Sequence, residues 1–90
     1  MINKNLEKKA LEIMAEELNI PVEQLSKQRA KTFAEFDIKE LTEIELHFTL
    51  SDKLGYEIPK DKELQTLNNI TKTLAYIQLN TPRTHYGHSP

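Results

Sequence analysis

Apolar side chains in this sequence return in steps of three and four, and no segment alternates with a period of two, so the chain is confined to helices. Leu6, Ala10, Ile13, Met14 and Leu18 place one stripe along a helix from about Asn5 to Asn19 whose other face is lysine and glutamate. Asn3 or Asn5 is suited to cap its start. Ile20-Pro21 ends it, because proline drives the preceding residue out of helical geometry. From Pro21 to Phe36 no period is visible. Val22, Leu25 and Phe33 are scattered apolar anchors and VEQL has room for one helical turn, which predicts an ordered loop pinned by those side chains.

A second helix is expected from about Ile38 to Leu54, closed by Gly55 where a left-handed cap is wanted. At about 100° per residue, Leu46, Leu50 and Leu54 form one apolar row, and Leu41, Ile44 and Phe48 form another well around the helix. One row suffices for packing. The second either completes the core or forms a surface for a partner. Glu57-Ile58-Pro59 is extended by the proline rule, and KDKELQTL allows a short helix of one or two turns. Asn68 and Asn69 are good caps for a last helix carrying Ile70, Leu74 and Ile77, which frays into Asn80-Thr81-Pro82. The expected architecture is all-α, a three- or four-helix bundle in one domain over residues 1–79, with a disordered tail over 80–90.

Composition narrows function mostly by exclusion. Twelve basic and 14 acidic residues leave a net charge of −2, which attracts neither nucleic acid nor a membrane surface. The chain has no cysteine, so thiolate metal sites and thiol nucleophiles are ruled out. Two glycines build no phosphate loop, no nucleophile sits in a triad pattern, and no run approaches the ~20 apolar residues of a membrane span. A cytoplasmic protein that is not an enzyme is expected. His85 and His88 have metal-compatible spacing but lie in the tail without a third ligand, so no metal site is assigned. His47 falls between the two apolar rows of the second helix, the place of a core-edge histidine hydrogen-bonded to a neighbour.

Over residues 6–77 the chain resembles the acyl carrier proteins. The resemblance rests on LEKKALEIMAEELNI for the first helix, the long loop, ELTEIELHFTLSDKLGYEIP for the second helix and its exit, and LNNITKTLAYI for the last. It implies a bundle of three main helices plus one short helix, with a long loop between the first and second. Members of that family carry a 4′-phosphopantetheine arm on the serine of an Asp-Ser-Leu motif at the start of the second helix. Those positions fall here on Lys39, Glu40 and Leu41, and the approach usually made by Asp-Leu-Gly reads Glu35-Phe36-Asp37. A carboxylate cannot form the stable phosphodiester the arm requires, so the cofactor is expected to be absent. Ser26, Ser51 and Ser89 stand outside the family context.

The residues themselves offer Glu40 another role. Asp37 as N-cap and Glu40 three residues later match a capping box, in which Asp37 accepts from the Glu40 N–H and Glu40 reaches back to the N–H of Asp37. By resemblance, a partner surface would comprise Lys39, Glu40, Leu41, Ile44, Glu45, Phe48, Asp52 and Tyr56, with Glu40 at its centre. Lys39 and Lys53 dilute the acidity usual on that helix, so charge steering should be weaker.

Three functions follow as expectations. The first is a monomeric carrier-like module without its arm, docking non-covalently on an enzyme of a fatty-acid, polyketide or related pathway. The second is an ordinary carrier modified at another serine, or one whose natural serine has been replaced. The third is a small helical nucleic-acid binder, which the near-neutral charge disfavours. With the arm gone, a closed interior is expected.

Overall fold

The computed structural model describes residues 4–81. Five helices follow one another: α1 over Lys4–Leu18, α2 over Val22–Lys27, α3 over Glu40–Leu54, α4 over Asp61–Thr66 and α5 over Ile70–Asn80, with a 3₁₀ turn at Ala34–Phe36 before α3. No strand forms among the described residues, so the all-α expectation holds. Asn5 lies inside α1, which removes it as a cap, and Asn3 lies outside the described residues. α1 ends on Asn19, which takes a left-handed φ of 57° while the Ile20 N–H reaches back to the Ala15 carbonyl at 3.1 Å. That is a Schellman closure, and asparagine tolerates the left-handed position better than any residue except glycine. Gly55 closes α3 in the same region, with φ 78°, as its placement predicts.

One core joins these elements. Leu6, Ala10, Leu11, Ile13 and Met14 of α1 pack against Leu46, Leu50 and Leu54 of α3 and against Ile70, Leu74 and Ile77 of α5. Leu18, expected in the stripe, is half-buried, and Leu11, outside that stripe, is buried in the core. α1 approaches α2, α3 and α5 closely, whereas α4 approaches none of the helices extensively.

The long connection between α1 and α3 is ordered, as expected, but two of its details differ. It contains the whole helix α2, and of its three anchors only Leu25 and Phe33 are buried; Val22 is 38% exposed. What else holds it is polar and distant in sequence. The Phe33 N–H donates to the Asn68 carbonyl at 2.9 Å, the Thr71 N–H donates to the Arg29 carbonyl at 3.2 Å, and Arg29 pairs with Glu7 of α1 at 3.0 Å. At the far end, Asn69 caps α5 by accepting from the Lys72 N–H at 2.8 Å. α5 continues through Asn80, and Thr81 is buried with its N–H on the Ile77 carbonyl, so the folded part extends past the expected boundary at 79. The remainder of the tail, with His85, His88 and Ser89, lies outside the described residues.

Candidate functional site

The start of α3 is not built as a capping box. Lys39 occupies the N-cap with extended backbone and no side chain bonds the first turn. Asp37 sits three residues before the first helical residue, with φ 65°, and its N–H closes the 3₁₀ turn on the Ala34 carbonyl at 2.9 Å. Asp37 therefore turns the chain rather than capping the helix, and its N–H is not free for Glu40. The reciprocal pattern occurs one element earlier. The Glu35 N–H donates to the Thr32 hydroxyl at 3.2 Å while the Thr32 N–H donates back to the Glu35 carboxylate at 2.8 Å. Thr32-Phe33-Ala34-Glu35 has the Ser/Thr-x-x-Glu signature that marks such a box. The Thr32 N–H, and after it the Thr32 hydroxyl, hold Glu35 below the usual carboxylate range.

α3 presents three different faces. Inward, Leu46, Leu50 and Leu54 are fully buried. On the opposite side Leu41 is 67% and Phe48 56% exposed, with Ile44 half-buried and Glu45 and Asp52 exposed beside them. The second apolar row is thus not core. The helix places Leu41, Ile44, Glu45, Phe48 and Asp52 together on that face, at spacings of three and four, with Lys39 exposed at its start. Tyr56 does not belong there. It is 5% exposed and packs edge-on against Tyr76 at 5.8 Å between ring centroids, because Gly55 turns the chain back over the bundle. Burial, and the neighbouring Tyr76, push the Tyr56 phenol well above its ordinary value. The same turn engages Ser51, whose hydroxyl donates to the Tyr56 carbonyl.

The third face looks toward α4 across a cleft of about 380 Å³ lined by Glu40, Glu43, Ile44, His47, Asp61, Leu64, Gln65 and Asn68. Glu40 lies on this side, away from the centre of the outward surface where it was expected. The two walls have the same construction. Positions 40, 43, 44 and 47 on α3 are spaced i, i+3, i+4, i+7 along one side of the helix; 61, 64 and 65 on α4 repeat the first three steps, and Asn68 follows beyond the end of α4. Each wall contributes acid, one aliphatic side chain and, at its end, a polar side chain.

His47 is 1% exposed and its ring meets Phe33 in an edge-on contact at 6.2 Å. Neither ring nitrogen makes a hydrogen bond, contrary to the expectation of a bonded core-edge histidine, and the buried Oδ1 of Asn68 is equally without a partner. Burial lowers the imidazole to about 4; the Leu67 carbonyl opposes that shift without reaching bonding geometry. The ring is neutral at physiological pH. Glu43, half-buried in the same cleft, is raised above the ordinary carboxylate range first by burial and then by the charge of Glu40. No group of acidic and histidine side chains among the described residues is arranged to hold a metal ion. No helix among them is long and apolar enough to cross a membrane.

Of this cleft, Glu40, Ile44 and His47 were singled out in the sequence and Asn68 only as a cap; Glu43, Asp61, Leu64 and Gln65 were not. The signal was present in Asp-x-x-Leu-Gln-x-x-Asn, which repeats the spacing of Glu-x-x-Glu-Ile-x-x-His. Comparisons of the chain with protein-family models, curated proteins and solved structures find no match.

Proposed function

We propose that this chain is a carrier-protein-like docking module that lacks the phosphopantetheine arm and works by non-covalent contact with an enzyme of an acyl or polyketide pathway. One observation carries the reading: Leu41 and Phe48 stand exposed together on the side of α3 opposite its buried row. A helix that needed only one face for folding would gain solubility from polar residues there, so an exposed apolar pair suits a docking surface. Glu45 and Asp52 flank the pair, so the partner surface it complements is apolar with a basic rim. The resemblance supplies the pathway class and the placement of that face. Glu40 at the attachment position, and a Ser51 hydroxyl that donates to the Tyr56 carbonyl, support the reading without an arm.

Two measurements test this. After incubation with coenzyme A and a broad-specificity phosphopantetheinyl transferase, the intact mass should be unchanged; a gain equal to one arm would establish an ordinary carrier instead. In NMR titrations with a purified ketosynthase or acyltransferase from the same cell, amide shifts should concentrate on residues 39–52, and Phe48→Ser should abolish them. Shifts that survive that substitution would place the docking surface elsewhere.

A further inference from the structure

The cleft between α3 and α4 has a chemistry that the docking surface does not use. Three carboxylates, Glu40, Glu43 and Asp61, line it, and none makes an ion pair with a described residue. Acidic groups at the start of a helix are compensated in part by the backbone dipole, so carboxylates alone would mean little. The cleft adds buried groups that are incomplete. His47 is 99% shielded from solvent with both ring nitrogens unbonded, and the Asn68 Oδ1 is buried and unbonded as well. A buried polar atom without a partner typically costs about 1–3 kcal/mol, and native chains satisfy the great majority of them. Here two such side chains line one wall end each of the same cleft.

The requirements for an occupant can be read from the lining. It must bring positive charge for the carboxylates. It must bring several N–H donors, since carboxylates and the Asn68 oxygen only accept and a neutral imidazole accepts at one nitrogen. It must carry an aliphatic stem to lie between Ile44 and Leu64, one from each wall. A guanidinium on an alkyl chain meets all three conditions: five donors in a fixed plane, permanent charge, and weaker hydration than an ammonium, so it loses less on entering a half-buried site. We propose that the α3–α4 cleft is a binding site for an alkylguanidinium group, held by Glu40, Glu43 and Asp61 and completed by His47 and the Asn68 side-chain oxygen. The same group is offered by a small guanidino compound and by an arginine side chain of another protein. The site adjoins the outward face of α3, with which it shares Ile44, but its polar groups lie off that face.

The test uses n-butylguanidinium as probe and n-butylurea as its neutral isostere, each titrated into the full chain and followed by amide NMR. Butylguanidinium should give saturable shifts on both walls, residues 40–47 and 61–68, and butylurea none. Glu43→Gln and Asp61→Asn, on different helices, should each weaken the probe about tenfold, the effect of about 1.4 kcal/mol, while Phe48→Ser leaves it unchanged. Absence of saturation, equal binding of the urea, shifts away from both walls, or full affinity in both carboxamide variants overturns the proposal. A blocked Ala-Arg-Ala peptide distinguishes the sources. Binding at least as tight as the free probe assigns an arginine side chain, and exclusion of the peptide with retention of the probe assigns a small guanidino compound.

Discussion

At the scale of single residues, His47 is the most informative side chain. Its imidazole is held near 4 in the folded protein against 6.5 in an unfolded chain, so the unfolded state binds more protons across that interval. Stability therefore rises with pH through the window, and falls as pH drops from 6.5 toward 4, by up to about 3 kcal/mol. Glu43 acts in the opposite sense. Its raised affinity lets the folded state take up a proton first, which returns part of the loss. Chemical denaturation at pH 7 and pH 4.5 should show the net fall. His47→Leu, close in volume and free of unbonded nitrogens, should hold stability nearly level over the same range and raise it by about 1 kcal/mol at pH 7. A variant with the same pH slope as the natural chain would remove His47 as the source. The burial of this residue was legible from its place between two apolar rows, but its missing partner was not, because that depends on where Leu67 and Asn68 come to lie.

At the scale of elements, α3 shows how far periodicity reads. Its inward row and its glycine stop were legible because both are local: three leucines at four-residue steps, and one residue that adopts positive φ without strain. Its start was misread. The spacing of Asp37 and Glu40 satisfies a capping box, yet the same spacing occurs in Thr32-x-x-Glu35, and only the 3₁₀ turn between them decides which pair closes. Two substitutions separate the assignments. Thr32→Ala should cost about 1 kcal/mol by removing a true cap, whereas Asp37→Gly should stabilise by up to about 1 kcal/mol by relieving a left-handed backbone. A cap at Asp37 would make the second substitution neutral or harmful. The two apolar rows of α3 separate in the same way. Leu50→Ala should cost about 2–5 kcal/mol and Phe48→Ser less than about 0.5 kcal/mol in urea denaturation, since only the first leaves a cavity.

At the scale of the whole molecule, the connection from Pro21 to Lys39 is held by contacts that no local pattern announces. Leu25 offers one buried side chain from a six-residue helix, too short to display a period, and the bonds from Phe33 to Asn68 and from Thr71 to Arg29 join segments far apart in sequence. These bonds run to the residues that begin α5, where Thr32 and Asn69 also pair across an isolated bridge. The connection and the start of α5 should therefore open together. Phe33 is the pivot: its ring is wholly buried against His47, its N–H holds Asn68 and its carbonyl accepts the Ile38 N–H at 3.0 Å. In native-state hydrogen exchange, the Phe33 and Thr71 amides should open with equal free energies, close to those of the Leu46 and Leu50 amides, because both bonds break only when the core does. Phe33→Ala, expected to cost about 3–5 kcal/mol, should lower all four together. If Phe33 and Thr71 exchange early while α3 stays protected, the connection is a separate, weaker unit, and the bonds to α5 decorate the fold instead of closing it.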